Sequence, residues 1–305
     1  MNISHSSHSH LLSTVLPSFL EAAKVDRVLT GESLRKYEEA IKRFIRIVGD
    51  LPVYQVTVES FQQLKQVLLA RGSGPCHING VIYAVRKLMM YSQQRLGLTI
   101  PDLGALRSMK IPRRAVVYLT DAELDQFLAS IRINYRNGSV NPFGLCFRTL
   151  VEILAGTVMR ISEALALDVT TIKWREHEAR IIGKGGRERA IYFSERAMRW
   201  MRRYLEHRTD RKPALLVSPR TGQRLQRYEA QRMCRIATKR CRLPKRVTLH
   251  VLRHTFATTL LRNGCPIGHI QGLLGHERLE TTCRYYLGLL SDKDLKKAHE
   301  RFLEW

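Results

Sequence analysis

Between Thr248 and Tyr286 the chain sets two helical patterns end to end and closes each with a glycine. Leu252, Phe256 and Leu260 recur at the spacing of one helix face, and Gly264 is placed to end that helix. Ile267, Ile270, Leu273 and Leu274 mark a second, shorter helix that Gly275 ends, with His276 presented just beyond it. His250 and Arg253 are three apart at the start of the first helix and so share a face. Nine residues after His276 stands Tyr285, with Tyr286 beside it. The stretch concentrates two imidazoles, a guanidinium and a phenol, with no carboxylate pair among them. That set suits an anionic phosphodiester attacked by a hydroxyl better than it suits a metal.

The rest of the chain narrows the partner. It holds 51 lysines and arginines against 27 aspartates and glutamates, a formal net charge of +24. Such an excess favours a polyanion, and DNA is the first reading. At 305 residues there is room for two domains with real cores. The six cysteines form no C-x-x-C pair and read as reduced thiols of a cytoplasmic protein. Pro17 and polar residues interrupt the run from Leu11 to Ala23, which therefore reads neither as a secretory signal nor as a membrane span.

Taken in order, residues 10–105 read as a helical domain with basic faces. Its clearest helix runs from Ser33 to Val48 on the stripe Leu34, Tyr37, Ile41, Phe44 and Val48. Thr57 is placed to cap a second helix, and a third runs from Ile78 to Leu96 with Gly97 as its stop. Prolines and the basic run from Lys110 to Arg114 mark residues 106–117 as a linker. A second domain follows over 118–290, opened by the capping box Thr120 to Glu123. Its long apolar helix is expected from Phe143 to Ala155, ending near Gly156, with Arg160 and Glu163 just after. Short β-like runs flank the turn Gly183 to Gly186 and predict a hairpin with Lys184 at its tip; a third strand is expected at Ala214 to Val217. The fold class is therefore mainly α with a small antiparallel sheet in the C-terminal domain. Residues 291–305 read as an amphipathic tail helix.

Five segments, in this order, resemble the tyrosine recombinases (the phage integrase family), and most closely the short bacterial members of the XerC/XerD type. They are G-T-V-M-R-I-S-E at 156–163, G-K-G-G-R-E-R at 183–189, H-V-L-R-H-T-F-A-T at 250–258, L-L-G-H at 273–276 and T-T-C-R-Y at 281–285. The first half of the chain matches that family only in size and helical character. The resemblance implies an N-terminal core-DNA-binding domain and a mixed α/β catalytic domain that clamp a duplex between them. It also implies a double-stranded partner with a specific recombination site and self-association to a tetramer on two sites. There the tail helix would dock on a neighbouring protomer. A partner recombinase or accessory protein stays open.

The implied chemistry is attack by Tyr285 on the scissile phosphate, giving a 3′-phosphotyrosyl bond and a free 5′-hydroxyl. Strand exchange then runs through a Holliday junction, with no metal, cofactor or ATP. Arg160, Arg253 and His276 would donate to the non-bridging oxygens, since two guanidiniums stay charged at any working pH. A phenol near pKa 10 is a poor nucleophile at neutral pH, so His250 is its natural helper. Lys184 would protonate the leaving oxygen, and Glu163 would orient a neighbouring arginine or His250.

Two departures from the family pattern stand out. Tyr286 adjoins Tyr285 and is the reserve nucleophile, and Val158-Met159 replaces the usual Gly-Leu before the first arginine. A type IB topoisomerase, with the same chemistry but no synapsis, is the alternative reading. A DNA-binding regulator with a vestigial set is another. A metal-dependent nuclease would need converging acidic residues, and none cluster near these motifs.

Overall fold

Apolar residues at helical spacing form four helices in the first third of the chain: α1 (Leu12–Arg27), α2 (Gly31–Val48), α3 (Val58–Ala70) and α4 (Pro75–Leu96). The computed structural model describes residues 10–27, 31–112, 116–183, 186, 188–286, 296, 299 and 300; of residues 27, 281 and 284–286 it describes the backbone alone. The α2 stripe buries Ile41 and Phe44, and Phe44 meets Phe61 of α3 with ring centroids 5.3 Å apart. Leu12, Leu64, Leu88 and Met89 complete that core with no exposed surface. Pro17 interrupts the apolar run in sequence but not the helix, which continues through it. Gly97, at φ 66°, ends α4 in the left-handed conformation that glycine adopts without strain.

The chain divides into two compact units, residues 1–114 and 115–305. The division falls inside the basic segment 106–117. In the second unit α5 (Asp121–Ala129) opens on its capping box: Glu123 N–H donates to Thr120 Oγ1 (3.3 Å) and Thr120 N–H to Glu123 Oε2 (2.8 Å). Next comes α6 (Pro142–Thr157), buried along most of its length, with Leu145, Phe147, Leu150, Val151, Ile153 and Leu154 in the core and Arg148 and Glu152 paired on one face. It packs against α8 (Glu195–Glu206) and α10 (Leu249–Arg262).

The long helix ends within one residue of Gly156, at Thr157, and Val158 turns it at φ 47°. Gly156 also serves packing, since a Cβ there would lie 2.5 Å from Ser194 Oγ and 3.0 Å from Ala197 Cβ at the start of α8. One expectation is corrected here. The sheet holds β1 (Ile172–Lys173), β2 (Glu178–Ile182) and β3 (Glu188–Tyr192), antiparallel in that order. Its third strand is thus Ile172–Lys173, not the segment 214–217. That segment makes only isolated bridges, Asp168 with Ala214 and Val217 with Arg224, because Leu167 and the turn after Ser218 take its backbone groups singly.

The remaining helices are α7 (Ile161–Ala166), α9 (Arg227–Cys241), α11 (Ile267–Leu274) and α12 (Leu279–Tyr286). No described helix is long and apolar enough to cross a membrane. Lys184 and the linker residues 113–115 lie outside the described residues, as does the tail 291–305 except at 296, 299 and 300.

Candidate active site

A helix C-terminus leaves its last carbonyls without intrahelical donors and carries the negative end of the peptide dipoles. Helix α11 ends this way, with Gly275 in the left-handed conformation at φ 61°. Three guanidiniums from three other elements take up its carbonyls. Arg189 of β3 donates from Nη1 to the carbonyls of Leu273 (2.5 Å) and Gly272 (3.3 Å). Arg253 of α10 donates from Nη2 to Leu274 (2.6 Å). Arg160 donates from Nη2 to Gly275 (2.6 Å). The L-L-G-H segment is therefore a row of acceptors on which positive charge is gathered, with His276 at its end.

Arg160 occupies the N-cap of α7, and Glu163 lies at its N3 position. That spacing is a capping box, so Glu163 reaches back to the Arg160 backbone N–H (2.7 Å) and meets Arg160 Nη1 (2.9 Å). Arg189 Nη2 reaches the same carboxylate at 2.8 Å. Burial alone would raise the Glu163 pKa. The Arg160 N–H and the two guanidiniums outweigh it and hold the carboxyl below its ordinary value. Val158, two residues before Arg160, sits in the left-handed region at φ 47°. There a β-branched residue is strained by roughly 1–2 kcal/mol, which gives the change from glycine a physical cost.

His250 is the second residue of α10, whose N-cap Thr248 accepts from Val251 N–H (3.1 Å). Its Nε2 lies 2.9 Å from His254 Nε2, and among the described residues no hydrogen bond engages its Nδ1. His276 Nδ1 lies 2.9 Å from Thr282 Oγ1, and among the described residues no hydrogen bond engages its Nε2. Burial, then the charges of Arg253 and Arg160, push the His276 pKa down to about 4; burial and then Arg253 also lower that of His250. His276 is therefore neutral near pH 7.

Arg160, His250, Arg253 and His276 line one cleft of about 790 Å³. Arg227, Arg235, Lys239 and Arg246 line it too, and no described aspartate or glutamate does. Arg227, Arg235 and Lys239 recur at fours and eights along α9, a basic stripe legible in the sequence but not singled out there. Among the described residues no group of three or more His, Cys, Asp or Glu is arranged to hold a metal.

Of the residues picked from sequence, Arg160, Glu163, His250, Arg253 and His276 come together. Tyr285 and Tyr286 are the last two residues of α12, and their side chains lie outside the described residues, as Lys184 does entirely. Three partners were not picked: Arg189, His254 and Thr282. Each stands inside a quoted motif, but residue type alone does not say that it braces another side chain.

The phage integrase family model matches residues 118–291. This chain belongs to the phage integrase family. It is an enzyme of the tyrosine-type, XerC/XerD-like site-specific recombinases. The tyrosine recombinase XerD of Yersinia pestis is 28% identical over 298 residues, which cover 94% of this chain and 96% of that one. XerC of Proteus mirabilis is 25% identical over 280 residues, covering 90% and 89%. Among solved structures, the Tn1549 transposon integrase in complex with transposon right end DNA gives a TM-score of 0.74 at 18% identity, covering 95% of this chain and 99% of that one. The XerH recombinase in its post-cleavage complex with a palindromic difH substrate gives 0.72 at 19%, covering 96% and 85%. At these identities the two structures speak for the fold, which is mainly helical with a three-stranded antiparallel sheet.

Proposed function

We propose that this chain recombines DNA at a specific site by a phosphotyrosyl route centred on the α11 cleft. The single observation that carries the proposal is the cleft itself. Five guanidiniums and two imidazoles are among its lining, and two of the guanidiniums, Arg253 and Arg160, are anchored on the adjacent carbonyls of Leu274 and Gly275. A guanidinium carries five N–H donors in a fixed fork, more than one carbonyl accepts. Preorganised positive donors without a facing carboxylate are what a pentacoordinate phosphorane needs.

In this reading Arg160, Arg253 and His276 Nε2–H bind the non-bridging oxygens. Thr282 Oγ1–H, donating to Nδ1, selects that tautomer of His276. His250 Nδ1 takes the proton of Tyr285 as its oxygen attacks phosphorus. Lys184 protonates the departing 5′-oxygen, and Glu163 orients Arg160. The phosphotyrosyl bond conserves the phosphodiester, so a 5′-hydroxyl of another strand reverses the attack without ATP. The basic helical unit 1–114 also grips the duplex. Two sites are joined by four protomers, with the 291–305 tail between neighbours.

The test is a nicked duplex substrate that traps covalent adduct. Tyr285→Phe should give none while binding the duplex normally, because only the hydroxyl is lost. Adduct from Tyr285→Phe but not from Tyr286→Phe would move the nucleophile by one residue. Relaxation of plasmid lacking any specific site, without two-site recombination, would favour the topoisomerase alternative instead.

A further inference from the structure

Arg189 is outside the set proposed to touch DNA, yet it joins three of that set's supports. Its side chain is 17% exposed and pairs with Glu163 at 2.8 Å. The same guanidinium holds the Leu273 and Gly272 carbonyls. It stands opposite Ile181 in the β2–β3 ladder, one residue inside the last pair, Ile182 with Glu188. It thus ties the end of the β2–β3 ladder to the end of α11. Space around it is tight: a Cβ on Gly275 would lie 2.9 Å from Arg189 Nε and 3.2 Å from Arg160 Nη1.

Charge decides what this arrangement is for. Arg160, Glu163 and Arg189 together carry one net positive charge. Glu163 divides its oxygens, Oε1 to Arg160 Nη1 and Oε2 to the Arg160 N–H and Arg189 Nη2. Without Arg189 the buried carboxylate would be balanced by Arg160 alone. The pair facing a phosphate would then be neutral, and the Arg160 fork would be drawn toward the carboxylate.

We propose that Arg189 is a positioning residue for strand cleavage: it neutralises Glu163, so that Arg160 keeps its charge and orientation for the scissile phosphate. This rests on the reading of the α11 cleft as the phosphodiester site. The experiment compares single-turnover adduct formation on the nicked duplex by full-length wild type, Arg189→Gln, Glu163→Gln and the double variant. Arg189→Gln should slow adduct formation by roughly 10²-fold while duplex affinity changes by less than about threefold. The double variant should recover roughly tenfold of that loss, because removing the carboxylate restores the net charge. A purely structural brace gives the opposite pattern, with the double variant no faster than the slower single one.

No adduct from wild type would sink the reading of the site, and this inference with it. An active wild type with Arg189→Gln at the same rate, or with no recovery in the double variant, overturns the role of Arg189 alone. Should Arg189→Gln melt below the assay temperature, Arg189→Lys carries the test. Its ammonium keeps the charge, so its rate should stay within roughly tenfold of wild type. A loss as deep as that of Arg160→Gln would overturn the assignment.

Discussion

Two Arg–Glu–Arg triads occur among the described residues of the second unit, built from the same parts and put to different use. Glu152 of α6 accepts from Arg148 Nε (2.7 Å) and from Arg196 Nε (2.7 Å) and Nη2 (2.9 Å). Glu163 accepts from Arg160 and Arg189 at similar distances. Both carboxylates are buried, at 2% and 7% exposed. Their surroundings differ. Arg148 lies over the Trp200 ring at 4.9 Å and gives Nη1 to the Leu128 carbonyl and Nε to Glu152, all inside the fold. Arg160 has a helix C-terminus behind it and a basic cleft before it. A buried arginine–carboxylate cluster is therefore not a site by composition. It becomes one where a guanidinium is held by backbone carbonyls and still faces open space that no carboxylate lines.

The largest expected effect separates the triads directly. Arg160→Gln should lower the cleavage rate by about 10²–10³-fold, the usual loss for one preorganised donor, and change stability by less than about 1 kcal/mol because Arg189 still pairs Glu163. Arg148→Gln should do the reverse. Arg196 still pairs Glu152, but the Arg148 side chain is 15% exposed against 30% for Arg160 and its loss also frees the Leu128 carbonyl and the Trp200 face, costing about 2 kcal/mol while leaving the cleavage rate of folded protein within about twofold. Thermal melts beside single-turnover cleavage measure both. If folded Arg148→Gln also loses cleavage, the two triads are not functionally distinct.

A smaller effect comes from two glycines that are each pressed by a neighbour. Gly275→Ala puts a methyl 2.9 Å from Arg189 Nε and strains a φ of 61°, moving the guanidiniums. Displacements of that kind should slow cleavage by about 10- to 100-fold and cost roughly 1 kcal/mol. Gly156→Ala collides with Ser194 Oγ at 2.5 Å in the α6–α8 contact. It should cost about 1–3 kcal/mol by overpacking and leave the rate per folded molecule unchanged. Equal rate losses in the two variants would show that the α6–α8 packing is coupled to the site.

Legibility in the sequence follows the range of the physics. Helices α2, α4, α10 and α11 are written locally, in apolar stripes with glycines behind them, and the Thr120–Glu123 box is a three-residue event. The end of α6 is legible to within one residue, but the packing role of Gly156 is not, because it lies in Ser194 and Ala197, nearly forty residues on. The third strand is not legible for a similar cause: Ile172–Lys173 is two residues long and is made a strand only by its pairing with β2. Arg160, Glu163, His250, Arg253 and His276 could be picked by type and spacing. Arg189, His254 and Thr282 could not, because what marks them is the atom each one meets.

The smallest effect tests whether acid finds the site before the α6 triad. An imidazole in an unfolded chain takes up its proton near pH 6.5. In the fold, burial and neighbouring positive charge push His254 and His276 down to about 4. Between those values the unfolded chain binds more protons than the folded one, so their contribution is intact above about pH 6.5 and is lost as pH falls toward 4. Glu163 adds in the same direction at lower pH. Its carboxyl is held below the ordinary value, and its contribution disappears as pH falls through that lowered value. The Glu152 triad contains no imidazole. Amides of α10 and α11 should therefore lose protection between pH 7 and pH 5, by about three- to tenfold after correction for intrinsic exchange, while α6 changes less. His276→Gln should remove part of that loss, since glutamine does not titrate. Parallel loss in α6 and α11, unchanged by His276→Gln, would mean that acid acts through global unfolding and that the site histidines are not its local sensor.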